Sequence, residues 1–302
     1  MNNGPVLVVG GTGWLGGQVV GALSSRGKGV RALVRPASDA SGLEAKGATV
    51  ARGDLMDPKS LDGALEGVDA VVTTAAGYTR HSKGDTEEID IVGNRNLADA
   101  AARAGVRRFV LTSILTCDLA PDVPHFWHKK LMEDRLEEKG VPFVALRPGA
   151  FLDQLARFGG DPFDKGRLSW FGSVDVPLTF VLTADLAAFL AAAVDVDTAP
   201  GARIDIGWDR PVSLRDIADI ASRLLGRHIG VRSIPGVVVS TAGRLLGGVM
   251  PMARDMSSMM EWFATGRYVA DTTRQREVFG TVPSAEDAIA RYLTALGHPV
   301  QA

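Results

Sequence analysis

Three groups of residues have types and spacings suited to chemistry. The first is the run Gly10-Gly11-Thr12-Gly13-Trp14-Leu15-Gly16, in which Gly11-x-Gly13-x-x-Gly16 and Gly10-x-x-Gly13-x-x-Gly16 overlap. Glycine lets a backbone approach a charged group because no Cβ intrudes, and the free amides of a helix N-terminus favour an anion. A diphosphate suits such a turn, so Gly10, Thr12, Gly13, Trp14, Leu15 and Gly16 are assigned to binding one; the alternative is a strand-to-helix turn that holds nothing. The second group is Arg35 with Ser38, with no acid before Asp39. About 20 residues past the glycine turn of a dinucleotide fold, an acid bonds a ribose 2′-hydroxyl and an arginine accepts a 2′-phosphate. Arg35 therefore points to NADP(H), against the plainer reading of a solvated arginine at a strand end.

The third group is His125-x-x-x-Lys129-x-x-x-Glu133, whose helical spacing puts all three side chains on one face. A histidine there can donate a proton near neutral pH, with Lys129 placed to tune its neighbour. The plainer readings are a helix start at Pro124-His125 and an i,i+4 pair of Lys129 with Glu133. His128 and Tyr78 are fallback donors. Asp54 ends the third strand, where it either bonds an adenine amino group or serves the turn. Leu55, Ala75, Ala76, Ser113, Pro148 and Phe151 complete the expected cofactor contacts, the small run Thr74-Ala75-Ala76-Gly77 letting a ligand lie against the backbone.

Other chemistries fit poorly. His125-x-x-His128 is the one close pair of metal-ligand type, so no metal site is expected. Gly27-Lys28 lacks the spacing of a phosphate-binding P-loop, and no Gly-x-Ser-x-Gly elbow occurs.

These residues need elements to position them. Apolar runs at Pro5–Val9, Val30–Val34, Ala48–Arg52, Val68–Thr73, Arg108–Thr112 and Val141–Leu146 read as strands. Helices between them are predicted from Trp14, from Asp57-Pro58 as N-cap and first residue, over Thr86 to Ala104, and over His125 to Lys139. Strands so widely spaced imply an α/β fold, a Rossmann-type doubly wound parallel sheet, with ligands at the strands' carboxyl ends. The alternation loosens after Gly149. A short helix over Ala150 to Phe158, a β pair across Gly172-Ser173, helices from Thr183, Ser213 and Pro283-Ser284, and a strand Ile229 to Ile234 are expected there. The division is thus residues 1–150 as an NAD(P)-binding core and 151–302 as a smaller α+β substrate lobe with elements packing back on the core.

The chain has 302 residues, 46% hydrophobic and 23% charged, with net charge −2, which gives no reason to expect nucleic acid as a partner. One cysteine and no apparent signal peptide suit a cytoplasmic protein, monomer or homodimer. Val237 to Met252 is apolar, but Arg244, Pro251 and glycines interrupt it, so no membrane span is expected. The second half carries Phe151, Trp170, Phe171, Phe180, Trp262 and Phe263, with Met250, Met252, Met256, Met259 and Met260 in one stretch. Core packing is the expected job of most, and a lid over a hydrophobic ligand suits the rest.

The chain resembles the NmrA-like atypical short-chain dehydrogenase/reductase proteins. The residues that carry the likeness are Gly10-x-x-Gly13-x-x-Gly16, Arg35, Gly53-Asp54, the His125–Glu133 pattern, Leu146-Arg147-Pro148-Gly149 and Gly266-Arg267-Tyr268-Val269-Ala270-Asp271. The resemblance implies that Lys129 lies beside the nicotinamide ribose and Asp54 beside the adenine. The wider superfamily's Tyr-x-x-x-Lys is absent, and His125 stands in the tyrosine's place. The expected function is an NADPH-dependent reductase passing hydride to a small, largely apolar acceptor such as an enone, quinone, imine or ketone. The alternative is a non-catalytic, NAD(P)-sensing regulator with a protein partner. A nucleotide-sugar epimerase or dehydratase fits less well, because of the missing tyrosine and Arg35.

Overall fold

The structure is a computed structural model that describes residues 4–77, 87–154, 156, 160–234 and 251–301, with backbone alone for 251–253. Tyr78, the start of the helix expected from Thr86, Phe158 and most of Val237 to Met252 lie outside the described residues.

The elements begin β1 (Val6–Val9), α1 (Trp14–Ser25), β2 (Val30–Val34), α2 (Ser41–Glu44), β3 (Thr49–Arg52), α3 (Pro58–Leu65) and β4 (Ala70–Thr73). A π-helical turn (Glu88–Gly93) then runs into α4 (Asn94–Ala104), followed by β5 (Arg108–Thr112), α5 (Pro124–Glu138) and β6 (Phe143–Pro148). Next come β7 (Ala150–Phe151), β8 (Arg167–Phe171), β9 (Phe180–Val181), α6 (Thr183–Ala192) and β10 (Ala202–Ile206). The chain closes with α7 (Leu214–Leu225), β11 (Gly230–Ile234), α8 (Pro251–Ala264), α9 (Thr273–Phe279) and α10 (Ala285–Ala295).

Local chemistry sets several boundaries. Asp57 accepts from the Lys59 amide and Pro58 takes the first position of α3, as predicted. Ser213 and Asp216 form a reciprocal capping box at α7, and Gly226 ends that helix in the left-handed region at φ 62°.

Two compact units result: Met1–Asp118 with Pro124–Arg147 and Thr183–Ile204, and Leu119–Val123 with Pro148–Leu182 and Asp205–Ala302. In the first lies a seven-stranded sheet of order β10-β6-β5-β4-β1-β2-β3, whose pairs from β3 through β6 are all parallel. Strand faces alternate. Leu7, Val9, Val71, Phe109 and Leu111 join Leu61, Leu65, Leu97 and Leu136 of α3, α4 and α5 in one buried cluster. On α1, Val19, Val20 and Leu23 are buried in turn, and α1 packs on α6. Each such leucine or valine contributes about 1.5–3 kcal/mol on burial.

Two expectations are corrected and two gain detail. Thr183–Ile204 falls within the first unit, α6 resting on α1 and β10 extending the sheet beyond β6. Ala150–Phe151 is a strand and not the start of a helix: it pairs in parallel with Phe180–Val181. Gly149 permits this, since a Cβ there would run into the Thr179 backbone, and the Ala150 and Leu152 amides bond the carbonyls of Thr179 and Val181. The strand Arg167–Phe171 pairs in parallel with Gly230–Ile234 and not across Gly172-Ser173. The helix expected over Thr86 to Ala104 is present from residue 87 onward, with its first turn π-helical at Glu88–Gly93. Gly93 explains the close packing here, as a Cβ would strike Leu55.

Within the second unit the aromatic residues mostly pack on one another. Phe180 lies 5.8 Å from Trp208, Trp170 stacks on Phe263, and Phe263 lies 4.6 Å from Tyr268.

Candidate functional site

The strand order runs outward in opposite directions from β1 and β4, so a crevice opens between their carboxyl ends, where an open α/β sheet binds ligands. Thr74 closes its floor, its amide donating to the Val9 carbonyl at 2.9 Å. Gly10 sits above it at φ 82°, and a Cβ would press on the Thr74 and Ala75 backbone. Gly16 lies against the Gly10 carbonyl so closely that a side chain would overlap it. Gly13 is the N-cap of α1 and, having no side chain, does not cap the first-turn amides. The glycines thus make a bare helix N-terminus facing the crevice, a cradle that fits a diphosphate. Thr12, Gly13 and Trp14 are exposed, Leu15 half-buried and Gly16 buried, with Trp14 54% exposed.

Arg35 follows β2 and is exposed. The turn after it closes by a bond from the Ser38 amide to the Arg35 carbonyl at 3.0 Å. Asp54 is half-buried after β3, and its carboxylate accepts from the Met56 amide at 2.9 Å, the turn role weighed from the sequence. Leu55 is buried beneath it.

Lys129 is 5% exposed in the second turn of α5. Its Nζ donates to the Ala75 carbonyl at 2.9 Å and faces Asp90 Oδ1 at 3.5 Å, an ionic contact longer than a good hydrogen bond. The other oxygen of Asp90 accepts from the Gly77 amide at 3.0 Å. Asp90 Oδ1 is buried without a hydrogen-bond partner among the described residues. Asp90 therefore ties the loop after β4 to the lysine. The sequence reading did not single it out, although an acid in the apolar run Ile89-Asp90-Ile91 was a signal of a buried partner. Ala75 is buried and Ala76 exposed in that loop. His125 and His128 are both buried in the first turns of α5, the His125 ring edge-on to Phe126 at 4.7 Å.

Glu133, one turn beyond Lys129, turns to different partners. It is wholly buried and accepts from Ser113 Oγ at 2.6 Å, Arg147 Nη2 at 2.6 Å and Arg203 Nε at 2.8 Å. Burial works against the Arg147 charge, yet hydrogen bonds and charge from Glu133 outweigh it and hold that guanidinium above the ordinary arginine range. Ser113 thus spends its hydroxyl on Glu133. Cys117 lies in the same cluster, and burial with the Glu133 charge pushes its thiol up to about 12. The cluster fixes α5 to the ends of β5, β6 and β10. Pro148 ends β6, and Phe151 lies in β7 of the second unit.

Comparison with known proteins adds the lineage. The chain is 28% identical, over 95% of its length and 89% of the other's, to Photosystem II assembly factor Ycf39 of Synechocystis sp.. It is 27% identical, over 91% and 93%, to (4-alkanoyl-5-oxo-2,5-dihydrofuran-3-yl)methyl phosphate reductase of Streptomyces griseus. The fold is like that of the Escherichia coli NADPH-dependent quinone oxidoreductase QOR2 complexed with NADPH, with TM-score 0.77, 22% identity, and 97% and 100% of the two chains covered. The model of the NmrA-like family matches residues 2–293. The chain belongs to the NmrA-like family.

Proposed function

We propose that this protein is an NADPH-dependent reductase that acts on a small, largely apolar acceptor bearing a polarised double bond. The observation that carries the reading is the bare helix N-terminus between Gly10 and Gly16, opening on the same sheet edge as buried Lys129. The names of two relatives, a reductase and an NADPH-bound oxidoreductase, agree with it.

In this reading the first-turn amides of α1 hold the diphosphate, and Arg35 with Ser38 receives the 2′-phosphate. Of the three donors on the Lys129 ammonium, the Ala75 carbonyl takes one and Asp90 balances the charge at ionic distance, which leaves a donor for a ribose hydroxyl. When bound, the reduced nicotinamide supplies hydride. His125 or His128 supplies the proton that completes reduction of the acceptor, with the buried first turn of α5 excluding water from it.

The test is turnover: purified protein, NADPH and a panel of enones, quinones, imines and ketones, followed by loss of reduced-nicotinamide absorbance. Acceptor-dependent oxidation supports the reading, and NADPH binding with no oxidation across the panel counts against it. A second reading, a redox-sensing regulator, has its own support in the absent Tyr-x-x-x-Lys tyrosine and in a relative named as an assembly factor. It requires unequal affinity for NADP+ and NADPH, because a ligand shifts an equilibrium only through differential binding.

A further inference from the structure

We propose that Arg52 is a second cationic ligand for the 2′-phosphate and sets the preference for NADPH together with Arg35; this rests on the dinucleotide reading above. Arg52 is the last residue of β3 and lies in register with Val34, so it stands beside the position where Arg35 leaves β2. Its Nη1 donates to the Ser38 carbonyl at 2.7 Å and to the Arg35 carbonyl at 3.2 Å. One nitrogen thus clasps the turn that presents Arg35 and Ser38. Its Nε and Nη2 make no hydrogen bond to the described residues, and the side chain is exposed.

That remaining edge is the one that grips acids elsewhere in this protein. Arg107 holds Asp69, Arg135 holds Asp99 and Arg147 holds Glu133 through Nε and Nη2 together. Arg52 presents the same two donors with no carboxylate on them. The nearby acid is Asp39, whose carboxylate is taken by the Ser41 amide and hydroxyl, each at 2.9 Å. Those bonds, more than the lesser pull of Arg52, hold it below the usual carboxylate range. Two guanidiniums against one occupied carboxylate leave the corner positive. A phosphate dianion fits both in a way that a ribose hydroxyl does not.

The experiment measures binding of NADPH, NADH, 2′,5′-ADP and 5′-AMP to the full-length protein, to R52Q and to R52K, at two salt concentrations. Melting temperature is recorded as a check on folding. R52Q is expected to weaken NADPH and 2′,5′-ADP by about tenfold or more and to flatten their salt dependence. NADH and 5′-AMP should stay within about twofold, and R52K should recover part of the loss. Equal weakening of NADPH and NADH would overturn the proposal, and so would an R52Q effect that vanishes in an R35Q background, which would reduce Arg52 to a prop of the turn; unchanged NADPH binding would overturn it as well. A wild-type protein that binds neither dinucleotide would instead defeat the underlying reading, a result distinct from either.

Discussion

Lys129 Nζ lies 2.9 Å from the carbonyl oxygen of Ala75, which joins the second turn of α5 to the loop after β4 across a buried gap. Asp90 completes the arrangement by holding Gly77 of that loop and facing the ammonium. Removing the lysine charge leaves Asp90 buried alone, so K129M should lose about 3 kcal/mol of stability in urea unfolding. K129M/D90N should regain most of that stability while dinucleotide affinity stays reduced by about tenfold. Recovery of affinity along with stability would show that Lys129 acts only as a structural post.

Glu133 carries the heaviest internal load, since Ser113, Arg147 and Arg203 all donate to it. E133A should cost about 3 kcal/mol, because it strips the Nε and Nη2 edge of buried Arg147 of its acceptor and leaves only the bond from Nη1 to exposed Asp118. Paired with R147M, the loss should fall well below the sum of the two single losses. Simple additivity in chemical denaturation would contradict the network.

The Cys117 thiol, pushed up to about 12 first by burial and then by the Glu133 charge, should be inert to a disulfide reagent at pH 8. In guanidinium chloride the chain's one thiol should react at once. A raised folded value stabilises the protonated native form, and this contribution is complete below the thiol's ordinary value near 9.0 and is lost as pH climbs toward about 12. Rapid labelling of the native protein would refute the buried placement.

Gly16 and Gly17 are neighbours with opposite tolerance. A Cβ at Gly16 overlaps the Gly10 carbonyl, whereas one at Gly17 meets its nearest atoms at 3.5 Å, an ordinary contact. G16A should lose about 2–3 kcal/mol together with dinucleotide binding. G17A, inside α1, should keep binding and gain up to about 1 kcal/mol. Equal behaviour of the two would mean that the turn is not packed as described.

Much of this architecture was legible in the sequence, for local reasons. Uninterrupted Val and Leu runs mark strands buried on both faces, and Asp57-Pro58 and Ser213-x-x-Asp216 announce helix starts by their own hydrogen bonds. The glycine turn and Arg35 were readable because spacing along one βα unit fixes where they lie. Partners distant in sequence were not readable. Period-two alternation identifies Arg167–Phe171 as a strand but carries no information on its pairing with Gly230–Ile234. The i,i+4 spacing of Lys129 and Glu133 suggested a pair, yet tertiary neighbours separate them: Asp90 and Ala75 claim the lysine, and arginines from β6 and β10 claim the glutamate. Arg52 went unnoticed because its significance lies in the turn of the adjacent strand.

Calorimetric titration of the purified protein with NADPH and with NADH tests the central claim most directly. The account predicts a saturable heat with NADPH and binding of NADH weaker by about tenfold or more. Absence of heat with both dinucleotides would contradict it.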